Sequence, residues 1–334
     1  MNLTISSSQR WLFRSCLFSA AIVVACSLAG SPLLFPSPPY SARAKSQSAI
    51  SVKTELVVLP VRVTGANGSV VSGLSLQDFQ VYEDGRLQRV TSFQQGDTPV
   101  TVALVVDHSR SMGTELPAVA AAVSAFAHSS NSQDEMFVVD FNDAVSVELL
   151  GGKPFTNDPK ELEEAVGAVS ARGQTALYDA VAEALLHLQL GHCERRALII
   201  ISDGGDNASQ HKFSQVLALA QQSQVLIDSI ALVGDNEEVN PAVLRKLAKA
   251  TGGTVYFPDG KNTVTSISTR IARDLREQYT LGFAPEKMDG SHVVRKIEVR
   301  VVVPGRRGLH VQTRSSYMLG TGKTAAAPAP EDTK

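Results

Sequence analysis

Cysteine is scarce in this sequence, with only 3 in 334 residues. Cys16 and Cys26 lie in the apolar amino-terminal stretch, so Cys193 stands alone in the rest of the chain. An oxidising compartment would therefore find no pair of thiols to join within the folded part. We expect no intramolecular disulfide and no role for Cys193.

An excess of positive charge is also lacking. The chain has 31 Lys and Arg against 33 Asp and Glu, which gives a net charge of -2 and a pI near 6.4. Nucleic-acid binding calls for a basic face or stripe. We therefore expect no nucleic-acid partner.

The motifs of common enzyme classes are missing as well. His187 and His192 lack the Glu-containing spacing of a zinc hydrolase, and the sequence has no glycine-rich phosphate loop followed by a suitable helix start. Asp107 ends the first predicted parallel strand, as a phosphatase nucleophile does. Those enzymes place a second Asp two residues later, where this chain has Ser109. We expect a protein that is not an enzyme and keep a phosphatase-like enzyme as the less favoured alternative.

Residues 1–44 are typical of an export leader. Arg10 and Arg14 precede an apolar run from Cys16 to Ala29, which is shorter than the roughly 20 residues of a membrane span. Cleavage after Ala42-Arg43-Ala44 would release a soluble protein, whereas Val23-Val24-Ala25-Cys26 would attach a lipid at Cys26. An uncleaved membrane anchor is the third interpretation. We expect an exported protein of the periplasm, cell envelope or extracellular space.

After the leader, the spacing of apolar residues along the sequence changes twice. Residues 50–97 and 279–318 alternate apolar and polar residues, which predicts β-strands, with a hairpin formed by the strands at 296–303 and 309–313. Residues 98–278 alternate strands with helical stretches, and runs such as Ala197 to Ile201 are continuously apolar. This pattern predicts a doubly wound α/β domain with a mostly parallel sheet.

The two β segments have to bury one face each. An isolated hairpin is marginal in water, so we expect the segments at 50–97 and 279–318 to pair into one small β domain, with the α/β domain inserted between them. The Ala- and Pro-rich tail at 319–334 has too little apolar bulk to fold and is expected to be disordered.

Polar residues follow two apolar strands of the predicted sheet. Asp107, Ser109 and Ser111 come at alternate positions after the strand at 101–106, and Asp203 follows the strand at 197–202. Between them, Thr175 is predicted to open a helix that runs to Leu190. In an open α/β sheet, ligands bind at the carboxyl ends of the strands. Carboxylate and hydroxyl oxygens suit a hard divalent cation, so we predict a cation site.

This set of residues resembles the metal-ion-dependent adhesion site of the von Willebrand factor type A family. The family pattern is Asp-x-Ser-x-Ser, then Thr, then Asp, and the resemblance covers about residues 98–278. It implies that Ser109 and Ser111 bind Mg²⁺, Mn²⁺ or Ca²⁺ directly, and that Thr175 does so in the ligand-engaged state. It implies further that Asp107 and Asp203 act largely through bound water and that an Asp or Glu of a protein partner completes the coordination.

The flanking segments resemble a bacterial, exported subfamily of the same family. The segments that carry this second resemblance are Gly73 to Phe79, Tyr82 to Gly85 and Tyr279 to Phe283. We expect an exported module that binds a protein partner through the metal. The alternative is a structural or assembly component of the cell envelope that the metal only stabilises.

Several residues near the predicted site have simpler interpretations. Asp107 and Asp203 would bind no metal if they only terminated their strands. His108 occupies a variable position and is expected to face solvent or the partner. The acidic clusters at 140–143 and 235–238 are expected to lie in solvated loops.

Overall fold

The structure is a computed structural model that describes residues 56–66, 68–167, 170–232, 240–285 and 294–318. In chain order its strands are β1 (Val57–Thr64), β2 (Phe79–Glu83), β3 (Arg86–Gln88), β4 (Val90–Gln94), β5 (Val100–Asp107), β6 (Glu135–Phe141), β7 (Val145–Glu148), β8 (Arg195–Ser202), β9 (Leu226–Ala231), β10 (Val255–Tyr256), β11 (Tyr279–Phe283), β12 (Val294–Val301), β13 (His310–Gln312) and β14 (Ser316–Met318). The α-helices are α1 (Leu116–Ser129), α2 (Pro159–Gly167), α3 (Leu177–His187), α4 (Phe213–Gln222), α5 (Pro241–Thr251) and α6 (Val264–Arg276).

A six-stranded sheet occupies the middle of the chain, in the order β10-β9-β8-β5-β6-β7. All neighbours are parallel except β6 and β7, which pair antiparallel at one edge. All eight residues of the central strand β5 are buried. The predicted mostly parallel, doubly wound sheet is confirmed.

Helices cover both faces of this sheet. Val102 and Leu104 of β5 belong to one apolar core with residues of α1, α2 and α6. Ala103 and Val105 of the same strand belong to a second core with residues of α3, α4 and α5. Successive side chains of a strand point to opposite faces. The continuous apolar runs therefore correspond to strands that are buried on both faces.

The flanking β segments pair with each other, as predicted. β1 pairs antiparallel with β11, and β2 pairs antiparallel with β12. Two four-stranded sheets result, in the orders β13-β1-β11-β4 and β14-β12-β2-β3. Leu59 and Leu281 from the first sheet share one apolar core with Val81 and Val299 from the second.

The predicted hairpin within 279–318 is wrong. In the described part of the chain, β13 pairs with β1, and β12 pairs with β2 and β14. The turn at Pro304 therefore carries the chain from one sheet to the other. Alternation gives each strand its buried face but does not specify its neighbour, and both sheets bury the same kind of face.

Some predictions lie outside the described residues. These are the leader at 1–44 with its two cleavage routes and Cys26, the acidic cluster at 235–238 and the tail at 319–334. Among the helices that the structure describes, none combines the length and the apolar character needed to cross a bilayer.

Candidate metal site

The candidate site lies at the carboxyl edge of the parallel sheet. Asp107 ends β5, and Asp203 directly follows the last residue of β8, Ser202. β5 and β8 are parallel neighbours, with Val106 opposite Ile201. Both carboxylates are therefore brought to the same edge, where open α/β sheets bind their ligands.

Two hydrogen bonds orient the buried carboxylate of Asp107. Its Oδ1 atom accepts from the backbone N–H of Ser109 at 2.9 Å, and its Oδ2 atom accepts from the hydroxyl of Ser202 at 2.6 Å. The side chain is fully buried. One acceptor bond on each oxygen holds the carboxylate in a single orientation.

The two serine hydroxyls of the Asp-x-Ser-x-Ser segment lie side by side. The Oγ atoms of Ser109 and Ser111 are 3.0 Å apart. A 3₁₀ turn at Arg110–Met112 curves the chain here, and the buried Met112 anchors that turn in the core. Both hydroxyls are thus presented together next to Asp107.

Thr175 is held against the loop that follows Asp203. Its backbone N–H donates to Oδ1 of Asn207 at 2.8 Å, and its carbonyl oxygen accepts from the N–H groups of Asn207 at 2.9 Å and Ala208 at 3.0 Å. The N–H of Arg172 donates to the carbonyl oxygen of His108 at 2.9 Å. These bonds connect the Thr175 segment to both of the other loops.

The helix after Thr175 starts later than predicted. α3 begins at Leu177 with Ala176 as the N-terminal cap, and it ends at His187 before a 3₁₀ turn over Leu188–Leu190. The N–H of Ala176 donates to the carbonyl oxygen of Asn142 at 2.7 Å. Ala176 has φ -104° and ψ 54°, which lie outside the helical region, so Thr175 precedes the helix.

The two carboxylates of the site repel each other. Burial raises the pKa of Asp107 to about 6; hydrogen bonds from Ser109 and Ser202 oppose this rise, and the charge of Asp203 adds to it. Asp203 is itself buried and accepts a 2.9 Å bond from the N–H of Gly205. A bound cation would compensate both charges.

The donor set fits a small, hard divalent cation. It offers two carboxylates and three hydroxyls, which are the oxygen ligands that Mg²⁺ and Mn²⁺ prefer. Within the described ranges, no three His, Cys, Asp or Glu side chains are grouped as a metal site. Such a group would suit zinc better than the hydroxyl-rich set found here.

The predicted environment of His108 is wrong. Its side chain is buried, and its Nδ1 atom contacts the Oδ1 atom of Asp140 at the end of the neighbouring strand β6. Asp140 and Asn142 are buried too, and only Asp143 of that cluster is exposed as expected. The parallel pairing of β5 with β6 could have suggested this contact, because it places their carboxyl ends side by side.

Residues 102–205 match the family model described as the von Willebrand factor type A domain. This range contains all five predicted site residues. Within these residues the chain is similar to von Willebrand factor type A domains.

The solved structures that are similar to the chain include the following three. A von Willebrand factor type A protein from Catenulispora acidiphila has 14% identity and a TM-score of 0.48, over 80% of this chain and 73% of that one. An aerotolerance-related membrane protein from Bacteroides fragilis NCTC 9343 has 15% identity and a TM-score of 0.44, over 53% and 98%. The von Willebrand factor domain of the type V pili tip protein Mfa5 from Porphyromonas gingivalis has 20% identity and a TM-score of 0.30, over 33% and 39%. No curated protein matches the sequence.

Proposed function

We propose that this protein is an exported protein-binding module that uses a divalent cation to capture an acidic residue of its partner. Asp107, Ser109, Ser111, Thr175 and Asp203 would hold Mg²⁺ or a similar ion. The observation that carries the proposal is the pair of Oγ atoms of Ser109 and Ser111, 3.0 Å apart beside the buried carboxylate of Asp107. This arrangement supports a cation site whose protein ligands include neutral hydroxyls as well as charged carboxylates.

Each residue of the site would have a separate task. The hydroxyls of Ser109, Ser111 and Thr175 supply neutral oxygen donors, and Asp107 and Asp203 supply the negative charge that attracts the ion. Ser202 and the N–H of Ser109 hold the carboxylate of Asp107 in place. When bound, the cation supplies a coordination position that a partner's Asp or Glu can fill.

The site as proposed needs no bond-making chemistry. An aspartyl nucleophile would require a general acid, and the position two residues after Asp107 carries the hydroxyl of Ser109 instead of a carboxyl group. Both oxygens of Asp107 already accept hydrogen bonds. These features support binding over catalysis.

Metal binding tests the proposal directly. Titration calorimetry of the metal-stripped full chain with MgCl₂ and MnCl₂ should show binding to the wild type and at least about tenfold weaker binding to Asp107→Asn and Ser109→Ala. Asp158→Asn is the matched control, because Asp158 is an exposed carboxylate that caps α2 through the N–H of Lys160. Equal affinity in all four proteins would contradict the proposed site.

Partner capture tests the second half of the proposal. The immobilised protein should retain its partner from a cell-envelope extract in Mg²⁺ and release it on addition of EDTA. Asp107→Asn should retain none in either buffer. Capture that survives both EDTA and the substitution would favour the alternative of a structural envelope component.

A further inference from the structure

A surface groove of about 1020 Å³ runs along the outer side of α3. One wall is formed by β7 and the loop before it, and the other by α4 and the loop before it. The inner side of α3 packs into the core through Leu177, Val181 and Leu185. The outer side of α3 is therefore not required for packing the core, and it faces the groove.

One end of the groove lies next to the candidate metal site. Ala176, the residue after Thr175, lines it, and so does Asp143. Asp143 lies against the Thr175 loop, because a Cβ atom on Gly173 would overlap the Asp143 carboxylate. A chain bound at the cation could therefore continue directly into the groove.

The middle of the groove exposes aliphatic side chains to water. Leu186 is 66% exposed and Leu219 is 39% exposed, and both line the groove together with Val145 and Val147 of the opposite wall. Single exposed leucines are common on protein surfaces, but here they line one concavity. Covering them with an apolar side chain would be favourable.

The half of the groove nearest the metal site is acidic. Asp143, Asp179 and Glu183 lie there, and only Asp179 has an ion-pair partner within the described residues, His211 at 2.7 Å. Arg196 lies at the opposite end, where it donates to the carbonyl oxygen of Gly191. The charges therefore favour a cationic group next to the metal-bound residue.

We propose that the groove receives the partner segment that carries the metal-binding Asp or Glu, and that this segment continues with Lys or Arg and then with a bulky apolar residue. The inference rests on the proposed function. From Leu177, the first residue of α3, Asp179, Glu183 and Leu186 follow by roughly 3, 9 and 13 Å along the helix, and Thr175 lies two residues before Leu177. At about 3.3 Å per extended residue, the basic groups belong about two to four positions from the acid and the apolar group about five.

Labelled peptides test this recognition by fluorescence anisotropy with the full chain. The probe is acetyl-Gly-Asp-Gly-Lys-Lys-Gly-Leu-Leu-Gly-amide, made also in the reverse order because the segment has two directions to run. One comparison peptide has Glu in place of both Lys, and another has Asn in place of Asp. In Mg²⁺, one orientation of the Lys peptide should bind at least about tenfold more tightly than the corresponding Glu peptide. EDTA or the Asn replacement should remove binding.

Surface variants locate the contact. Leu186→Asp should weaken binding of the Lys peptide at least about tenfold. Glu183→Lys should remove or reverse the preference for the Lys peptide over the Glu peptide. Leu190→Asp is the matched control for the leucine, because Leu190 is 59% exposed but does not line the groove. Glu164→Lys on α2 is the control for charge. Both controls should bind like the wild type.

The outcomes separate the two proposals. Metal-dependent binding that is equal for both peptides and unaffected by Leu186→Asp would overturn the groove assignment and leave the metal-dependent capture intact. Binding that survives both EDTA and the Asn replacement would overturn the proposed function itself. Absence of binding by every peptide would also overturn the groove assignment.

Two other possible occupants of the groove would give different experimental results. Sδ of Met318 lies 4.0 Å from Nε2 of Gln222, which lines the groove. If truncation after Met318 tightened peptide binding about tenfold, the chain's own C-terminal segment would be the occupant and the proposal would be wrong. Self-association in sedimentation that Leu186→Asp abolishes would assign the groove to a second copy and also overturn it.

Discussion

Oδ2 of Asp107 accepts a 2.6 Å hydrogen bond from the hydroxyl of Ser202, which ends the neighbouring strand β8. The same hydroxyl oxygen accepts from the N–H of Gly204 at 3.0 Å. Both side chains are completely buried. A single serine thus supports the carboxylate of Asp107 and the start of the loop that carries Asp203.

Replacing Ser202 with Ala should destabilise the protein. The change removes a buried hydrogen bond to an acid and leaves the N–H of Gly204 without its acceptor, so we expect a loss of about 1.5–3 kcal/mol. Urea unfolding followed by circular dichroism measures it. Ser146→Ala in the edge strand β7, where the side chain is half-buried, should change stability by less than about 0.5 kcal/mol. Equal effects of the two substitutions would contradict the role given to Ser202.

The pKa of Asp107 predicts a pH-dependent stability of the metal-free protein. Burial, opposed by two hydrogen bonds, raises this pKa from 3.8 to about 6. The folded state therefore holds its proton more tightly than the unfolded state. The resulting stabilisation is fully present below about pH 4 and is lost as the pH rises through about 6, by roughly 3 kcal/mol in total.

The comparison with Asp107→Asn isolates this effect from other titrating groups. The difference in free energy of unfolding, wild type minus variant, should fall between about pH 4 and 6 and stay constant above that range. Metal should bind more tightly over the same range as the carboxyl ionises. A difference that rises with pH would show that Asp107 has a lowered pKa instead.

Patterns within single segments predict most of the fold. The continuous apolar run of β8 and the alternation in β1 give the correct burial, because each depends only on the local period. Gly252 ends α5 with a φ of 86°, a conformation that glycine adopts readily. Asp107 and Asp203 lie at the ends of predicted strands, so their shared edge follows from the parallel sheet.

What the sequence does not predict depends on contacts between distant segments. His108 is buried against Asp140 of the neighbouring strand, and Ala176, the residue before α3, donates its N–H to the carbonyl oxygen of Asn142 in another loop. The pairing of β13 with β1 joins residues more than two hundred positions apart, such as Val63 and Val311. The spacing of apolar residues within a single segment does not contain this information.

Arg62 should be important for joining β1 to the α/β domain. Its buried guanidinium donates to Oδ2 of Asp228 at 3.0 Å and to Oγ1 of Thr254 at 3.1 Å, and it lies 3.8 Å from Oδ2 of Asp274. Arg62→Ala would leave the buried carboxylate of Asp228 without its ion-pair partner and that of Asp274 with Arg270, at 3.5 Å. We expect a loss of about 3–5 kcal/mol in urea unfolding.

Two further variants check that charge is the reason. Arg89 is exposed, so Arg89→Ala should cost less than about 0.5 kcal/mol. Asp228→Asn in the Arg62→Ala background should recover part of the loss, because it removes the uncompensated charge. If the double variant were as unstable as the sum of the single ones, packing rather than charge would explain the effect.

Gly253 should tolerate no side chain, because the chain passes directly over β9 at this residue. A Cβ atom there would overlap the carbonyl oxygen of Ile227, which is backbone and cannot rotate away. The next residue, Thr254, donates its N–H to Oδ1 of Asp228 at 2.7 Å and accepts from Arg62, so a displaced backbone would also disturb that buried network. Gly253→Ala should therefore cost about 1–3 kcal/mol in urea unfolding.

Gly260→Ala places its Cβ in open space at an ordinary φ, so it should leave stability unchanged or raise it slightly. Equal stability of the two variants would mean that the close approach of Gly253 to β9 is not required for folding.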